Sequence, residues 1–536
     1  MRHRLAVIGG GPRALNVLER LLARPSLHGS IEVTVFEPGV LGPGVHGASR
    51  GDHLWLNTVA GELTTWTDRE MVGRCRGIAA GPTFLDWARD REVHVERHGT
   101  SRPVAFGDYV ARHLLADYLA EQAHALVTRL SQTMPIRHVA ATVVAARRQG
   151  DGWVVETDDG ASLPAGHVAL ASGHGPHGTH LGDAWRGLEA SGPGDVVAVV
   201  GAGLSAVDLV AAATSARGGT FRRSRAGRLD YHPSGEEPVL VLTSRSGTLP
   251  CARPVVASSF PAPRTGLDDA ALERLASAGN FAEALRAMVR SEIAGPLTGA
   301  DQDHVLQVLE PRARWSDEDA HRAGVVTHFV RDLTEAQRGP ASPVKQRLEV
   351  LRAHRDFLRR AAELAPDGAG HAYVFGSLAS VANRAVVGPP AERAEELSSL
   401  LRAGLLRLGP GPSPDITEER RGLLLRSTRL DVASSTLVDR VLDARSERAS
   451  PRRGVVPPLL RTGISARLAS DGNVVGPGNA WLGAGVVGPP AEGSSYYNHY
   501  VTSPGAPSRC LSDIDAQLDG VETALSERLL HEGATS

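Results

Sequence analysis

Two glycine-rich segments carry residues whose types and spacing are suited to binding a dinucleotide. One, GGGPRA, runs from Gly9 to Ala14, and the other, GAGLSA, runs from Gly201 to Ala206. In a G-x-G-x-x-A turn the first glycine permits the tight turn and the second lets backbone N–H groups approach a pyrophosphate. The small last residue lets helix and strand pack closely, and the helix faces the phosphates with the positive end of its dipole. The two copies therefore predict two dinucleotide sites on one chain.

The first segment lies within a strand–turn–helix–strand pattern. Leu5 to Ile8 and Ile31 to Phe36 are short apolar runs typical of buried strands, and apolar residues recur at helical spacing between them. The second run ends on Glu37, whose carboxylate is suited to accept hydrogen bonds from an adenosine ribose and would repel a 2′-phosphate. FAD or NAD is therefore predicted here rather than NADP, and a glycine turn without a ligand is the alternative. The predicted site residues are Gly9, Gly11, Pro12, Arg13, Ala14 and Glu37.

The second segment repeats this design but ends differently. The apolar run Val196 to Val200 leads into the turn, and the strand expected next, Pro238 to Thr243, is followed by Ser244 and Arg245 rather than by an acidic residue. An arginine and a serine at this point suit a 2′-phosphate, so the second nucleotide is predicted to be NADPH. A surface arginine with no ligand is the alternative. The predicted site residues are Gly201, Gly203, Ser205, Ser244 and Arg245.

Two further stretches are candidates for contact with a flavin. Asn57 follows a glycine- and proline-rich loop, where it could hydrogen-bond the ring or a substrate, or serve only as a turn residue. Near the end of the chain, a glycine-rich run that contains Gly483 precedes Glu492, Gly493 and a new helix. This arrangement is typical of a chain that returns to cap a flavin with backbone N–H groups, although a plain surface loop fits the local sequence equally well.

Composition argues against several other classes of function. The formal net charge of the 536 residues is −2, which disfavours a nucleic acid or a membrane surface as partner, and no apolar run reaches the length of a membrane span. The three cysteines, Cys75, Cys251 and Cys510, are too far apart to form a CxxC redox pair or a zinc site. A cytoplasmic protein is therefore expected.

Other catalytic side chains are scarce. Lys345 is the only lysine, which leaves almost no candidate for Schiff-base chemistry. His174, His177 and His180 recur every three residues, but they lie in a glycine- and proline-rich loop, where this spacing has no helical meaning. No metal is predicted.

The order of these patterns predicts an α/β protein with two Rossmann-like dinucleotide-binding domains and an inserted helical subdomain. The sequence from Leu267 to about Leu364 is almost wholly helical in pattern, and strands resume afterwards. The expected segments are an FAD-binding domain (1–194), an NAD(P)H-binding domain (195–262), the helical insertion (263–370), a return to the NAD(P)H-binding domain (371–435) and the C-terminal part of the FAD-binding domain (436–536).

With these motifs in place, the chain resembles the family of FAD/NAD(P)-binding proteins that includes an FAD-dependent urate hydroxylase and the aspartate N-monooxygenase. The resemblance extends to about residue 260 and resumes after 436. It rests on IGGGPR at Ile8, FEP at Phe36, NT at Asn57, ASGH at Ala171, GAGLS at Gly201 with Asp208, RGG at Arg217, PSG at Pro233 and SRSG at Ser244. It implies that Gly173 also binds cofactor. The chain departs from the family at Ser172, where threonine is usual, and at Trp481-Leu482-Gly483, where tyrosine or phenylalanine often occurs.

The leading functional hypothesis is a flavin monooxygenase. NADPH would reduce FAD, the reduced flavin would react with O2 to a C4a-hydroperoxide, and the amine of a small, aspartate-like amino acid would take the distal oxygen. The alternatives are hydroxylation of a purine such as urate, and an NAD(P)H oxidoreductase that does not activate oxygen. No side chain has to act as a nucleophile, so no catalytic residue is predicted. Cations for substrate carboxylates could be Arg253, Arg69 or His46.

Overall fold

The computed structural model describes residues 2–48, 51–73, 77–173, 181–261, 263–445, 452–496, 498 and 501–534. Cys75 and the loop histidines His174, His177 and His180 lie outside these ranges. Over the described part of the chain, no helix is both long enough and apolar enough to cross a membrane.

The first sheet is mixed and has seven strands within the described ranges. An inner strand of this sheet, His3–Ile8, pairs in parallel with Ile31–Phe36 on one side and His167–Leu170 on the other. Leu5 to Ile8 are each no more than 3% exposed, as expected for a parallel strand that is covered on both faces. The order across the sheet is Arg467–Leu468, Asn473–Val475, Trp481–Val486, His167–Leu170, His3–Ile8, Ile31–Phe36 and Ile136–Val139.

Helices cover one face of this sheet and a small antiparallel sheet covers the other. The helices of this region are Pro12–Leu22, Arg69–Val72, Phe84–Asp90, Arg112–Ser131 and Arg509–Ala534. The antiparallel strands are Val143–Gln149, Gly152–Thr157 and Ser162–Ala165, joined by Leu460–Arg461. The indole N–H of Trp153 donates to the Leu482 carbonyl at 2.9 Å and ties the two sheets together. The hairpin His94–Arg97 and Thr100–Pro103 completes the region.

The second sheet is parallel and has four strands, again counted over the described residues. Their order is Leu406–Leu408, Val239–Thr243, Val196–Val200 and Arg440–Asp443. Helices Leu181–Glu189, Leu204–Ala213, Glu318–Gln337 and Ala391–Ala403 contribute to the apolar core around it. Because Arg440–Asp443 pairs with Val197 to Val200, the second domain extends past the predicted boundary at residue 435. Smaller antiparallel strands are Thr220–Arg223 with Leu229–His232, and Asp415–Glu419, Gly422–Ser427 and Ser434–Val438.

The helical insertion has a core of its own, which includes Phe281, Leu285 and Leu348. Its helices are Asp269–Ala276, Phe281–Ala294, Gly299–Leu309, Pro343–Leu348, Val350–Ala353, Arg355–Leu364, Ala369–Ala372 and Ala379–Val386, with π-helical Tyr373–Leu378 between the last two. The helical pattern therefore runs past residue 370, where the sequence predicted the return to the second domain. Tyr496 of the C-terminal segment also packs into this core, so the insertion contacts the first domain.

Candidate dinucleotide sites

The first glycine turn connects strand His3–Ile8 to helix Pro12–Leu22. Gly9 has a φ of +99°, and an added Cβ would lie 2.6 Å from the Ala171 carbonyl oxygen, so only glycine fits. At Gly11 an added Cβ would meet only Gly44 Cα, at an ordinary 3.4 Å. The helix begins at Pro12 with no side-chain cap and no acidic residue in its first turn. The protein therefore leaves open the space beside Gly11 and the helix start, as a bound pyrophosphate requires.

Glu37 follows the second strand and turns back towards this turn. Its carboxylate accepts hydrogen bonds from the Gly10 N–H at 2.8 Å and the Gly39 N–H at 3.2 Å. A carboxylate offers about four acceptor positions, so these bonds leave lone pairs for ribose hydroxyls. The predicted ribose contact is compatible with this geometry and stays a prediction.

Arg13 joins the first helix to the C-terminal segment. Its buried guanidinium donates to the Asn16 side-chain oxygen at 3.2 Å and to the Asn498 carbonyl at 3.0 Å. Glu492 in turn accepts from the Asn498 backbone and side-chain amides, each at 3.1 Å. The structure thus brings Pro12, Arg13 and Glu492 together, and Arg13 links the first helix to the C-terminal segment.

Gly493 belongs to the same returning segment. Its φ is +103°, and an added Cβ would lie 2.8 Å from the Arg452 amide nitrogen. Its carbonyl also pairs with His371 Nε2 at 3.0 Å, so the segment is fastened to the insertion as well.

Gly483 is the predicted residue that the structure does not bring to this turn. It lies near the start of strand Trp481–Val486, and an added Cβ would be 3.2 Å from the Gly166 carbonyl oxygen. This strand runs parallel to His167–Leu170, so Gly483 is at the amino edge of the sheet, whereas Gly9 follows a carboxyl end. The glycine that approaches the turn is Gly488, where an added Cβ would lie 2.9 Å from Arg13 Cγ. Its place just after a parallel strand is the signal that could have identified it.

Asn57 and Gly173 are open positions. The side-chain amide of half-buried Asn57 has no hydrogen-bond partner within the described residues, while the neighbouring Leu56 N–H donates to the Val110 carbonyl at 2.9 Å. Gly173 has a φ of +63°, and an added Cβ would meet no atom of the described residues within 4 Å. It follows strand His167–Leu170 at its carboxyl end, on the edge where Gly9 lies.

The second glycine turn has the same backbone design. Gly201 has a φ of +119°, and its N–H donates to the Thr243 carbonyl at 2.8 Å. At Gly203 an added Cβ would meet no described residue within 4 Å, and helix Leu204–Ala213 begins there without a side-chain cap or an acid in its first turn. Half-buried Ser205 lies in that first turn. This turn therefore also has room for a pyrophosphate.

Ser244 and Arg245 follow strand Val239–Thr243, which is the neighbour of the strand that enters the turn. Arg245 is exposed, and its guanidinium makes only a long 3.5 Å contact with the Ser380 hydroxyl. Ser244 Oγ lies 3.4 Å from Ser246 Oγ. A cation and two hydroxyls are thus accessible at the carboxyl edge of the second sheet.

An ion pair that sequence reasoning missed joins the two nucleotide regions. Arg112, at the start of helix Arg112–Ser131, contacts Asp208 of helix Leu204–Ala213 at 2.8 Å and also donates to the Trp55 carbonyl at 3.1 Å. Burial raises the pKa of the Asp208 carboxyl. The partners are 96 residues apart, so no local pattern indicates the contact.

Two of the proposed substrate cations are unsuited to that role. Arg253 is buried and donates to Glu349 at 2.6 Å and to the Val386 carbonyl at 3.0 Å. Burial, reinforced by the charge of Arg112, lowers the pKa of His46 to about 4, so this imidazole is neutral at pH 7. Arg69 is exposed on the short helix Arg69–Val72.

The lysine and the two cysteines that the structure describes are buried. The Lys345 ammonium is buried against Asp332 at 2.7 Å and the Ala252 carbonyl at 2.8 Å. Cys251 and Cys510 are buried free thiols, and burial raises the pKa of each. In the ranges that the structure covers, no three histidine, cysteine or acidic side chains are grouped closely enough to hold a metal.

Comparison with known proteins bears on the stretch that contains the first of these turns. Residues 6–175 match the family described as FAD-NAD(P)-binding, which confirms the predicted FAD and NAD(P)H cofactors. Relatives named L-aspartate N-monooxygenase (nitrosuccinate-forming) occur in Streptomyces cremeus, 27% identical over 80% of this chain and 77% of the relative, and in Streptomyces davaonensis, 28% identical over 90% and 87%. A nitrosuccinic acid synthase of Aspergillus oryzae is 27% identical over 96% of this chain and 91% of its own.

Proposed function

We propose that this protein is an FAD- and NADPH-dependent monooxygenase that oxygenates the amine nitrogen of L-aspartate or a closely related amino acid. One observation carries the proposal: two glycine turns of the same design, neither of which has a close contact of under 3.4 Å at its second glycine among the described residues, lie in a chain that aligns along most of its length with relatives named for this reaction. FAD, when bound, passes electrons from NADPH to O2, one atom of which goes to the substrate. The small-molecule partners are therefore an amino acid and O2.

The first domain would hold FAD. Gly11 and the uncapped helix start at Pro12 would receive the pyrophosphate, Gly9 and Ala14 would keep the turn and helix close, and Glu37 would accept from the ribose. Asn57, Gly173 and the segment with Glu492 and Gly493 would line the rest of the cofactor. Arg13 would act indirectly, because its contact with Asn498 holds that segment against the first helix.

The second domain would hold NADPH. Gly201, Gly203 and Ser205 would receive its pyrophosphate, and Arg245 with Ser244 would pair with the 2′-phosphate. A charge-assisted bond of this kind stabilises a complex by about 1.5–3 kcal/mol, which is enough to set a preference over NADH. The accessible guanidinium of Arg245 supports this assignment.

The remaining task of the protein is to bring the two cofactors and the substrate together. The Arg112–Asp208 pair connects the helix of the second turn to the first domain, so it would limit how far the two turns can separate. The substrate nitrogen has to be neutral when it receives oxygen, because an ammonium has no lone pair.

The test is NADPH consumption by the purified protein in air, with L-aspartate, other amino acids and urate offered in turn. The proposal predicts a yellow protein whose NADPH oxidation and O2 uptake rise with aspartate. Stimulation by urate instead would replace the proposal with purine hydroxylation. NADPH oxidation that no substrate accelerates, with only hydrogen peroxide formed, would contradict monooxygenation.

A further inference from the structure

The short 3-10 helix Gly44–Ala48 lies directly on the first glycine turn. An added Cβ on Gly44 would be 3.1 Å from Gly11 Cα and 3.2 Å from Pro12 Cδ, and the Gly42 N–H donates to the Gly10 carbonyl at 2.7 Å. His46 is two residues beyond Gly44, in the same turn of helix. His46 therefore lies on the short helix that borders the opening at Gly11.

The two nitrogens of this imidazole differ in their surroundings. Nδ1 is enclosed by protein and has no hydrogen-bond partner. Nε2 makes no hydrogen bond to the described residues either, but it is not enclosed. Because the ring is neutral at pH 7, it carries one proton. A buried N–H without an acceptor is rare and unfavourable, whereas an accessible N–H can be satisfied by water or by a ligand, so the proton belongs on Nε2.

The first site has no side-chain cation available for a pyrophosphate among the residues assigned to it. Arg13, the nearest in sequence, donates to Asn16 and Asn498. The remaining donors at the turn are backbone N–H groups, and one of these, on Gly10, is already bonded to Glu37. A fixed neutral donor at the opening would add a hydrogen bond to a phosphate oxygen without bringing in a further charge.

We propose that His46 Nε2–H donates a hydrogen bond to a pyrophosphate oxygen of FAD in the first site. His46 is thus a cofactor-positioning residue rather than a cation for substrate. The inference rests on the proposed FAD site and adds to it one side chain and one ring nitrogen.

The two side-chain amides separate the roles of the two nitrogens. In His46→Gln the amide reaches the position of Nε2, whereas in His46→Asn it reaches only the position of Nδ1, and His46→Phe keeps a ring without a donor. FAD is titrated into the deflavinated full-length chain. We expect its dissociation constant to rise about tenfold or more in His46→Phe and His46→Asn, whereas His46→Gln should retain most of the affinity of the wild type. Phosphorus NMR of bound FAD gives a second readout, in which the pyrophosphate resonances shift for Phe and Asn and return for Gln.

His113→Phe is the matched control. His113 is half-buried on helix Arg112–Ser131 and its Nε2 contacts Asp52 at 2.8 Å, so its loss should leave FAD affinity unchanged. Equal affinities for Gln and Phe, or recovery by Asn instead of Gln, would overturn the inference. So would a loss of affinity that merely follows the thermal midpoint of each apoprotein. If wild type binds FAD and every variant matches it, this inference fails while the proposed function stands; if wild type binds no FAD, both fail.

Discussion

The middle position of the glycine turn is Gly10 in the first domain and Ala202 in the second. A Cβ on Gly10 would lie 2.6 Å from the Glu37 side chain, because Glu37 turns back to bond the Gly10 N–H. In the second domain Ser244 follows the neighbouring strand, and its hydroxyl contacts Ser246 and the Thr248 carbonyl instead of the turn, while Arg245 is exposed.

The first turn is also more enclosed by neighbouring segments than the second. The first turn is bordered by Gly44–Ala48 and by the C-terminal segment that Arg13 holds, whereas no residue that the structure describes lies within 4 Å of a Cβ built on Gly203. One backbone design has thus become a partly enclosed site and an open one. This difference suits a cofactor that stays bound through many turnovers and a reductant that must leave after each one.

The largest expected effect is at Gly11. Gly11→Leu should yield a folded protein that is largely colourless, because its Cβ makes only an ordinary contact with Gly44 and the rest of the side chain fills the space of the pyrophosphate. Gly9→Ala is the contrasting variant, since its Cβ would be 2.6 Å from the Ala171 carbonyl oxygen at a positive φ, and it should lower the thermal midpoint itself. The ratio of flavin to protein absorbance and a melting curve measure both. A Gly11→Leu protein with full flavin would remove the first-site assignment.

The corresponding change in the open turn should leave the flavin in place. Gly203→Leu is expected to keep FAD and the fold but to abolish flavin reduction by NADPH, measured as bleaching of the flavin band without oxygen. Gly192→Leu is the control, because Gly192 is equally uncrowded but precedes the strand at the opposite edge of the sheet. Rapid bleaching in Gly203→Leu would show that the second turn does not receive the nicotinamide dinucleotide.

Arg245→Ala sharpens the assignment within the open site. Loss of a charge-assisted bond to the 2′-phosphate should weaken NADPH about ten- to a hundredfold and NADH little. Steady-state KM values for both nucleotides provide the comparison. Arg223→Ala, which removes an exposed arginine paired with Glu395, should change neither value. An equal loss for NADPH and NADH would mean that Arg245 does not read the phosphate.

The smallest expected effect is that of acid, which should act in opposite directions through two buried groups, one in each domain. Burial and the neighbouring His3 lower the pKa of His167 in the first sheet to about 3, so below pH 6.5 the unfolded chain takes up a proton that the folded chain refuses. The free energy of unfolding that this group contributes therefore decreases as the pH is lowered, by at most about 2 kcal/mol between pH 7.5 and 5. Asp208 has a raised pKa, so the folded state holds its proton at a pH where the unfolded chain has lost it, and stability rises on acidification.

Denaturant unfolding of His167→Leu and Asp208→Asn, each against wild type, measures the two contributions. The first variant should lose less stability in acid than wild type, and the second should lose more. Parallel pH profiles for wild type and both variants would contradict the assigned protonation states.

The site residues that the sequence could predict are those that adjoin the parallel strands. Both glycine turns, Glu37 and Arg245 lie immediately before or after strands, where a βαβ unit fixes their position. Gly483 is predicted to bind cofactor because it belongs to a glycine-rich run, but the parallel register puts it at the amino end of its strand and brings Gly488 to the turn.

Contacts between segments that are distant in sequence could not be predicted from such local patterns. Glu349, 96 residues away in sequence, accepts a hydrogen bond from Arg253, and Asp208 pairs with Arg112 across an equal separation. The neutrality of His46 depends on tertiary burial, which no residue in its own loop reveals. Substrate cations were therefore the least predictable part of the site.

The central claim is that oxygen from O2 reaches the nitrogen of an aspartate-like substrate. Mass spectrometry of a reaction with NADPH, L-aspartate and 18O-labelled O2 tests it directly. The account predicts label in a hydroxylamine, oxime, nitroso or nitro derivative of aspartate, with more product as rising pH deprotonates the bound amine. Unlabelled aspartate recovered beside labelled hydrogen peroxide, or label in an oxidised purine when urate is offered instead, would contradict it.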